Sequence, residues 1–245
     1  MEFRLVRLEG RNLVLDSLKA GRYIEKIYID TSSKGDKIDR IKSICSSSKI
    51  AIENTTRSEI SKLGGSDNNQ GVLAFAKKID TYSMKEFEKK MLSEEVCVVV
   101  LRNLDFEQNL GAIIRSCSGA GIKGIVVPKK KKSSITPLVE RISQGGTNDV
   151  CIIEESFYSS IKALKKMGCK LVALETTSEK AYFDEDLTGN IAFIFGNESE
   201  TLDSSTLEKV DITVKVPMMG TVPSLNVSVT AGIILYERFR QNLKK

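Results

Sequence analysis

The sequence predicts an α/β protein: a parallel-sheet domain in the C-terminal part, preceded by a smaller mixed α/β domain. Three observations predict this. From Val96 onward, short apolar runs alternate with helical patterns, as expected for a parallel sheet covered on both faces. The first third mixes short helices and strands around Gly- and Ser-rich breaks. A polar stretch, 79–94, lies between them. The expected domains are therefore 1–78 and 95–245, joined by that linker. A chain of 245 residues has room for both at ~100–200 residues per domain.

In the first third, 11–18 reads as a helix with Leu13, Val14, Leu15 and Leu18 apolar. Residues 24–29 read as a strand and 38–45 as a helix. The serine-rich run 43–48 reads as a helix end and turn. The stretch 64–71, Gly-Gly-Ser-Asp-Asn-Asn-Gln-Gly, is a loop, and 72–76 a strand. Residues 83–92 read as a polar linker helix with Phe87 and Met91 one turn apart.

Beyond the linker, 96–101 is a fully apolar strand. A helix over 109–120 follows, closed by Gly121, and then a strand over 124–127 ended by Pro128. Further strands are expected at 150–153, 171–174, 191–195 and 212–216. A helix at 157–167 stops at Gly168, a favoured position for glycine after a helix end. The last helix, 227–240, carries Val227, Ala231, Ile234, Leu235 and Phe239 on its apolar side.

Composition excludes several chemistries. There is no histidine, so no imidazole base, no Ser-His-Asp system and no histidine metal ligand. The five cysteines are scattered without a C-x-x-C pair. They read as reduced, mostly buried thiols of a cytoplasmic protein, and no metal is expected. The start of the chain lacks a signal-peptide pattern. The longest apolar run, 96–101, is far short of the roughly 20 residues that span a bilayer, so no membrane is expected. The net charge of +5 is mild. Residues 1–80 hold 15 Lys+Arg against 11 Asp+Glu, so most of the surplus sits in the first domain, which suits a module that grips a polyanion.

Gly119-Ala120-Gly121-Ile122-Lys123-Gly124 matches the letters of a dinucleotide fingerprint, but it follows a helix and precedes a strand. That order is wrong for the fingerprint, and a helix end and turn is the better reading. The run 129–132, four lysines, reads either as a solvated charge run or as a phosphate-contacting loop.

Three segments carry more. In the first, Asn109 opens a helix, where it suits an N-cap, and Arg115 lies two turns on in apolar and small-residue surroundings. In the second, a buried strand ends in Phe195-Gly196-Asn197-Glu198, the edge at which open α/β sheets bind ligands. Gly196 allows close backbone approach and Glu198 supplies a carboxylate. In the third, the strand end at Val216 runs into a loop with Pro217, Met218, Gly220 and Pro223, then Ser224-Leu225-Asn226-Val227-Ser228-Val229. Ser224 or Asn226 caps the last helix. The loop offers backbone groups for an adenine-like edge, with Met and Leu for its apolar face.

Together the three segments, in this order and spacing, resemble the motifs of the SpoU family of RNA ribose 2′-O-methyltransferases within the SPOUT superfamily. The resemblance runs from about Val96 to Arg240, and the third motif is the most specific. The first domain is similar to the family's RNA substrate-binding module, opening at Glu9-Gly10-Arg11-Asn12 and closing at Asn69-Gln70-Gly71-Val72. The chain looks most like the bacterial subfamily that modifies a guanosine of 23S rRNA.

The resemblance implies a trefoil knot, S-adenosylmethionine as cofactor, RNA as partner, most of all large-subunit rRNA, and a homodimer with a shared active site. It implies Arg115, Asn109, Glu198, Ser224 and Asn226 as catalytic residues. Gly196, Val216, Leu225, Thr176 and Met218 are implied to hold the cofactor. Arg115 would fix a phosphate and stabilise the developing alkoxide, because a guanidinium with a pKa above about 12 makes a poor base. Ser199 and Thr201 stand where the family has glycine, and Asn69 where it has histidine. Rival readings are a tRNA or drug-resistance rRNA methyltransferase, or an RNA-binding relative without activity.

Overall fold

The computed structural model describes residues 5–92, 94–103, 106–129, 135–196 and 202–243. The chain forms two compact units. Unit 1 contains 1–80 and 135–148, and unit 2 contains 81–134 and 149–245.

In chain order the elements begin with β1 (Leu5–Glu9), α1 (Arg11–Lys19), β2 (Ile24–Asp30), α2 (Asp36–Ser48), β3 (Ala51–Thr55), α3 (Arg57–Gly64) and β4 (Val72–Lys77). Next come β5 (Thr81–Tyr82), α4 (Met84–Lys90), β6 (Cys97–Leu101), α5 (Glu107–Gly119), β7 (Gly124–Pro128) and α6 (Pro137–Ser143). The chain ends through β8 (Cys151–Glu155), α7 (Phe157–Lys166), β9 (Lys170–Leu174), β10 (Ile191–Phe195), α8 (Ser204–Leu207), β11 (Ile212–Val214) and α9 (Val227–Asn242).

Unit 1 is a four-stranded mixed sheet in the order β1-β4-β2-β3, with only the β2–β3 pair parallel. Leu13, Val14 and Leu18 of α1 and Ile38, Ile41 and Cys45 of α2 pack with Ile27 and Ile29 of β2. The serine run does not turn as expected. It continues α2 to Ser48, and the break comes at Lys49, a non-glycine residue in the left-handed region with φ 57°.

The loop before β4 is held by a single buried side chain. Asn69 donates from Nδ2 to Ser61 Oγ and to the Ser66 carbonyl, both at 3.0 Å. Its Oδ1 accepts the Gly71 N–H at 2.8 Å. These bonds hold two successive residues, Gln70 (φ 52°) and Gly71 (φ 75°), in the left-handed region. Gln70 has a Cβ, so its conformation is strained and requires this bracing.

Helix α6 groups with unit 1 although the chain on either side of it belongs to unit 2. Thr136 caps it and Pro137 stands at its first turn, where proline's fixed φ and missing N–H cost nothing. A buried ion pair anchors it: Arg22 Nη1 lies 2.5 Å from Glu140 Oε2, with side chains 6% and 1% exposed. Arg22 also donates to the Lys77 carbonyl from Nε at 2.9 Å and Nη2 at 2.6 Å.

Unit 2 is a seven-stranded sheet in the order β11-β9-β10-β6-β7-β8-β5, with every neighbouring pair parallel. Strands β6 and β10 are buried along their whole length, which explains their unbroken apolar runs. Residues 83–92 do more than link. Ser83 and Glu86 form a reciprocal cap on α4, and Phe87 is fully buried in the unit 2 core with Val98 and Val126. The strand order reverses direction at β6 and β10, which puts a crevice at their carboxyl ends.

Candidate active site

A cleft of about 610 Å³ opens at the carboxyl ends of the central and outer strands of unit 2. Five segments build it. Leu174, Glu175 and Thr176 leave β9; Phe195 and Gly196 leave β10; Val214, Lys215 and Val216 leave β11. Residues 223–227 and Thr230, at the start of α9, close it, with Phe106 and Asn109 from α5 beside them. Apolar walls and polar groups share the lining, as suits an amphipathic small molecule.

The start of α9 ties two of these segments together. Asn226, not Ser224, is the N-cap: its Oδ1 accepts the Ser228 N–H at 2.8 Å and the Ser228 hydroxyl at 2.6 Å. Its Nδ2 donates to Asn109 Oδ1 at 3.2 Å. Asn109 is not a helix cap, because α5 begins two residues earlier, at Glu107 after Phe106. Its side chain is thereby available to Asn226. Among the described residues, the backbone groups of 217–225 make no hydrogen bond. They are left to a ligand or to water.

Eight of the ten residues expected at a site line this cleft: Asn109, Thr176, Gly196, Val216, Met218, Ser224, Leu225 and Asn226. Arg115 does not. It is exposed on α5, outside the cleft of its own chain. Glu198, with Ser199, Thr201 and the lysines 130–132, lies outside the described residues.

The sequence reading missed Phe106, Thr230 and Glu175. Glu175 is 6% exposed and accepts the Leu202 N–H at 2.7 Å on Oε1. Burial pushes its carboxyl above the ordinary range, and the Leu202 bond opposes this. Its signal was its place, one residue past an apolar strand and next to Thr176. The cysteines are free thiols, and burial pushes Cys97 up to about 12 and Cys169 to about 11. Among the described residues, no helix is long and apolar enough to cross a membrane, and no group of three acidic or sulfur side chains could hold a metal.

The SpoU rRNA methylase pattern matches residues 96–236, and the RNA 2′-O ribose methyltransferase substrate-binding pattern matches 7–82. A Staphylococcus saprophyticus protein named for the TrmH family of tRNA/rRNA methyltransferases is 29% identical over 238 residues, covering 95% of this chain and 94% of its own. The 23S rRNA (guanosine-2′-O-)-methyltransferase RlmB of Xanthomonas axonopodis pv. citri is 28% identical over 223 residues, 90% of each chain. Among solved structures, an RNA 2′-O ribose methyltransferase superposes with a TM-score of 0.82 at 27% identity, covering 98% of this chain and 90% of its own. The Streptomyces viridochromogenes SpoU methyltransferase AviRb, in complex with AdoMet, gives 0.79 at 20% identity, over 98% of this chain and 92% of its own, a likeness of fold.

Proposed function

Because the chain belongs to the SpoU rRNA methylase family, we propose that it methylates a ribose 2′-OH of RNA with S-adenosylmethionine, on a guanosine of 23S rRNA in the cytoplasm. The observation that carries this reading is the cleft at the carboxyl ends of β9, β10 and β11, closed by the Asn109–Asn226 link. The residues suit the cofactor. Leu174, Phe195, Val216 and Leu225 offer apolar walls, and the uncommitted backbone of 217–225 offers donors and acceptors for a purine edge. S-adenosylmethionine, when bound, supplies an electrophilic methyl group. Gly196, Val216, Leu225, Met218 and Thr176 would hold it.

The protein's part is to position the acceptor and stabilise charge. Asn109 and Asn226, braced against each other, present amide groups at the cleft mouth where a ribose hydroxyl can be oriented, with Ser224 beside them. Fixing the hydroxyl in this way can contribute several kcal/mol, in rough terms, to the barrier reduction. Arg115 would hold the adjacent phosphate and stabilise the negative charge that develops on the 2′-oxygen as its proton passes to solvent water; Glu198 would orient it.

Arg115 points to a homodimer. It is exposed and outside its own chain's cleft, so a second copy is the natural source of a guanidinium for each site. Helix α9, which packs on α5, leaves Val229, Tyr236 and Phe239 39% to 50% exposed at helical spacing, with Leu243, just past its end, 70% exposed. Such a stripe suits self-association. The trefoil knot fits as well: the chain leaves β11 at one sheet edge and returns across the cleft to place α9 beside α5.

Mapping of 2′-O-methyl groups in rRNA and tRNA, from cells with and without the protein, tests the reading. Loss of one methyl from large-subunit rRNA is expected. Loss from tRNA alone would replace the acceptor, in line with the tRNA/rRNA naming of the Staphylococcus relative. No change, with no S-adenosylmethionine binding by calorimetry, would leave an inactive RNA-binding relative.

A further inference from the structure

A second recess, of about 350 Å³, lies wholly within unit 1 and is lined by Arg57, Asp67, Asn68, Gln70 and Arg141. Every lining side chain is polar or charged. The Arg57 and Arg141 guanidiniums are exposed and make no hydrogen bond or ion pair among the described residues. Arg11, which is bonded to Gln70 of the same loop, behaves differently. It is spent on structure, donating to the Gln70 carbonyl at 3.0 Å, the Lys34 carbonyl at 3.0 Å and Ser33 Oγ at 3.4 Å. Two guanidiniums face one lining carboxylate, Asp67; the Asp30 carboxylate lies within electrostatic reach of Arg57, but neither guanidinium is held in an ion pair among the described residues.

Both walls of the recess are held in place at some cost. Gln70 sits at positive φ, braced by the fully buried Asn69, and its Oε1 accepts the Arg11 N–H at 3.2 Å. Strain of this kind persists where the surrounding structure over-determines it, and it concentrates at functional sites. Arg141 follows Glu140 directly on α6, and Glu140 is locked to Arg22 by the buried ion pair. A buried pair of this sort adds little net stability but fixes position. Here it fixes the helix that carries Arg141 into the recess. Arg141 lies inside the stretch matched to the methylase pattern, yet it stands in the unit matched to the substrate-binding pattern.

We propose that this recess is a phosphate clamp for the RNA backbone, with Arg57 and Arg141 as its two cations and Asn68 and Gln70 as neutral donors to phosphate or ribose oxygens. The substrate-binding module is then composite, and residues 7–82 alone lack half of its charge. The inference rests on the reading of RNA as substrate. Planar guanidiniums with free N–H groups suit phosphate geometry, and each neutralised phosphate releases counterions.

The test is anisotropy titration of a fluorescein-labelled RNA hairpin with the full-length chain across a salt series. Arg57→Gln and Arg141→Gln should each weaken binding about fivefold and lower the slope of log affinity against log salt by about 1. S-adenosylmethionine affinity and melting temperature should stay at wild-type values. Arg57→Lys and Arg141→Lys should restore most of the salt slope, which a merely structural role would not predict. Wild-type affinity and slope in both Gln variants would overturn the clamp while leaving the methyltransferase reading intact. A wild-type chain that binds no RNA would overturn both.

Discussion

The Asn226 side chain is bonded in two directions, donating from Nδ2 to Asn109 Oδ1 at 3.2 Å and accepting the Ser228 N–H on Oδ1 at 2.8 Å. One amide thus caps α9 and fixes the start of α5. The two roles separate by mutation. Asn226→Asp keeps the cap and should hold wild-type stability, yet it replaces the donor that Asn109 accepts from. Methyl transfer should fall by at least about tenfold from lost alignment. Asn226→Ala removes both bonds and should also cost about 1 kcal/mol in denaturant melts. Equal activity in wild type and Asn226→Asp would show that the link has no part in the reaction.

Arg115→Ala should reduce methyl transfer by about a hundredfold or more, the scale of losing one charge-stabilising group. Calorimetric S-adenosylmethionine affinity should remain within a few-fold, because Arg115 lies outside the cleft of its own chain. Mixing this variant with an Asn226→Ala partner offers a sharper reading. In a dimer with shared sites, one mixed site carries both lesions and the other carries none. Partial recovery of activity is therefore expected. No recovery would argue for sites built from one chain.

Arg22→Ala should destabilise the protein by about 3–5 kcal/mol, since it leaves the Glu140 carboxyl, which burial already pushes up, buried and without its partner. Glu140 Oε1 already lacks a partner, so its carboxylate has no second source of compensation. Replacing both residues by apolar ones should recover most of the loss. Urea melts of the single and double variants measure this. A double variant as unstable as Arg22→Ala would mean that the pair is not the source.

Glu175 gives a pH signature with a definite sign. Burial raises its folded-state pKa above the ordinary value of 4.5. The folded protein therefore binds more protons than the unfolded chain just above that value. The stability contributed by this group is fully present below 4.5 and lost as pH rises through the raised pKa. Glu175→Gln removes the loss and can still accept the Leu202 N–H. The Tm of the variant minus that of wild type should grow from about pH 4 to about pH 7. A flat difference would assign the pH dependence elsewhere.

The legible parts of this molecule were those whose burial is written locally. Strands β6 and β10 are covered on both faces, so Val98–Val100 and Ile191–Phe195 announce themselves as apolar runs. β3 pairs only with β2 and is mostly exposed, so Ala51–Thr55 has no such signature. α6 was invisible for a different reason. Its Glu140 is buried only because Arg22 meets it, and no local pattern encodes a partner 118 residues away. At the site, the motif spacing brought eight residues to one cleft. It did not reveal Glu175, whose role depends on a backbone N–H at Leu202. Asn109 lines the cleft, but it is not the cap the pattern suggested, because the helix starts earlier than its apolar pattern does.

The assignment of α6 to unit 1 also bears on how the chain is made. The first 80 residues leave the ribosome well before residue 140 is synthesised. At about 5–20 residues per second, the 118 residues between Arg22 and Glu140 take roughly 6–24 s. Through that interval the nascent first unit lacks the helix that covers it, and the Arg22 guanidinium has no carboxylate to meet. The module can close no earlier than the synthesis of α6, by which point β5, β6 and β7 of the second unit have already been made, so the first unit cannot be completed before the second has begun.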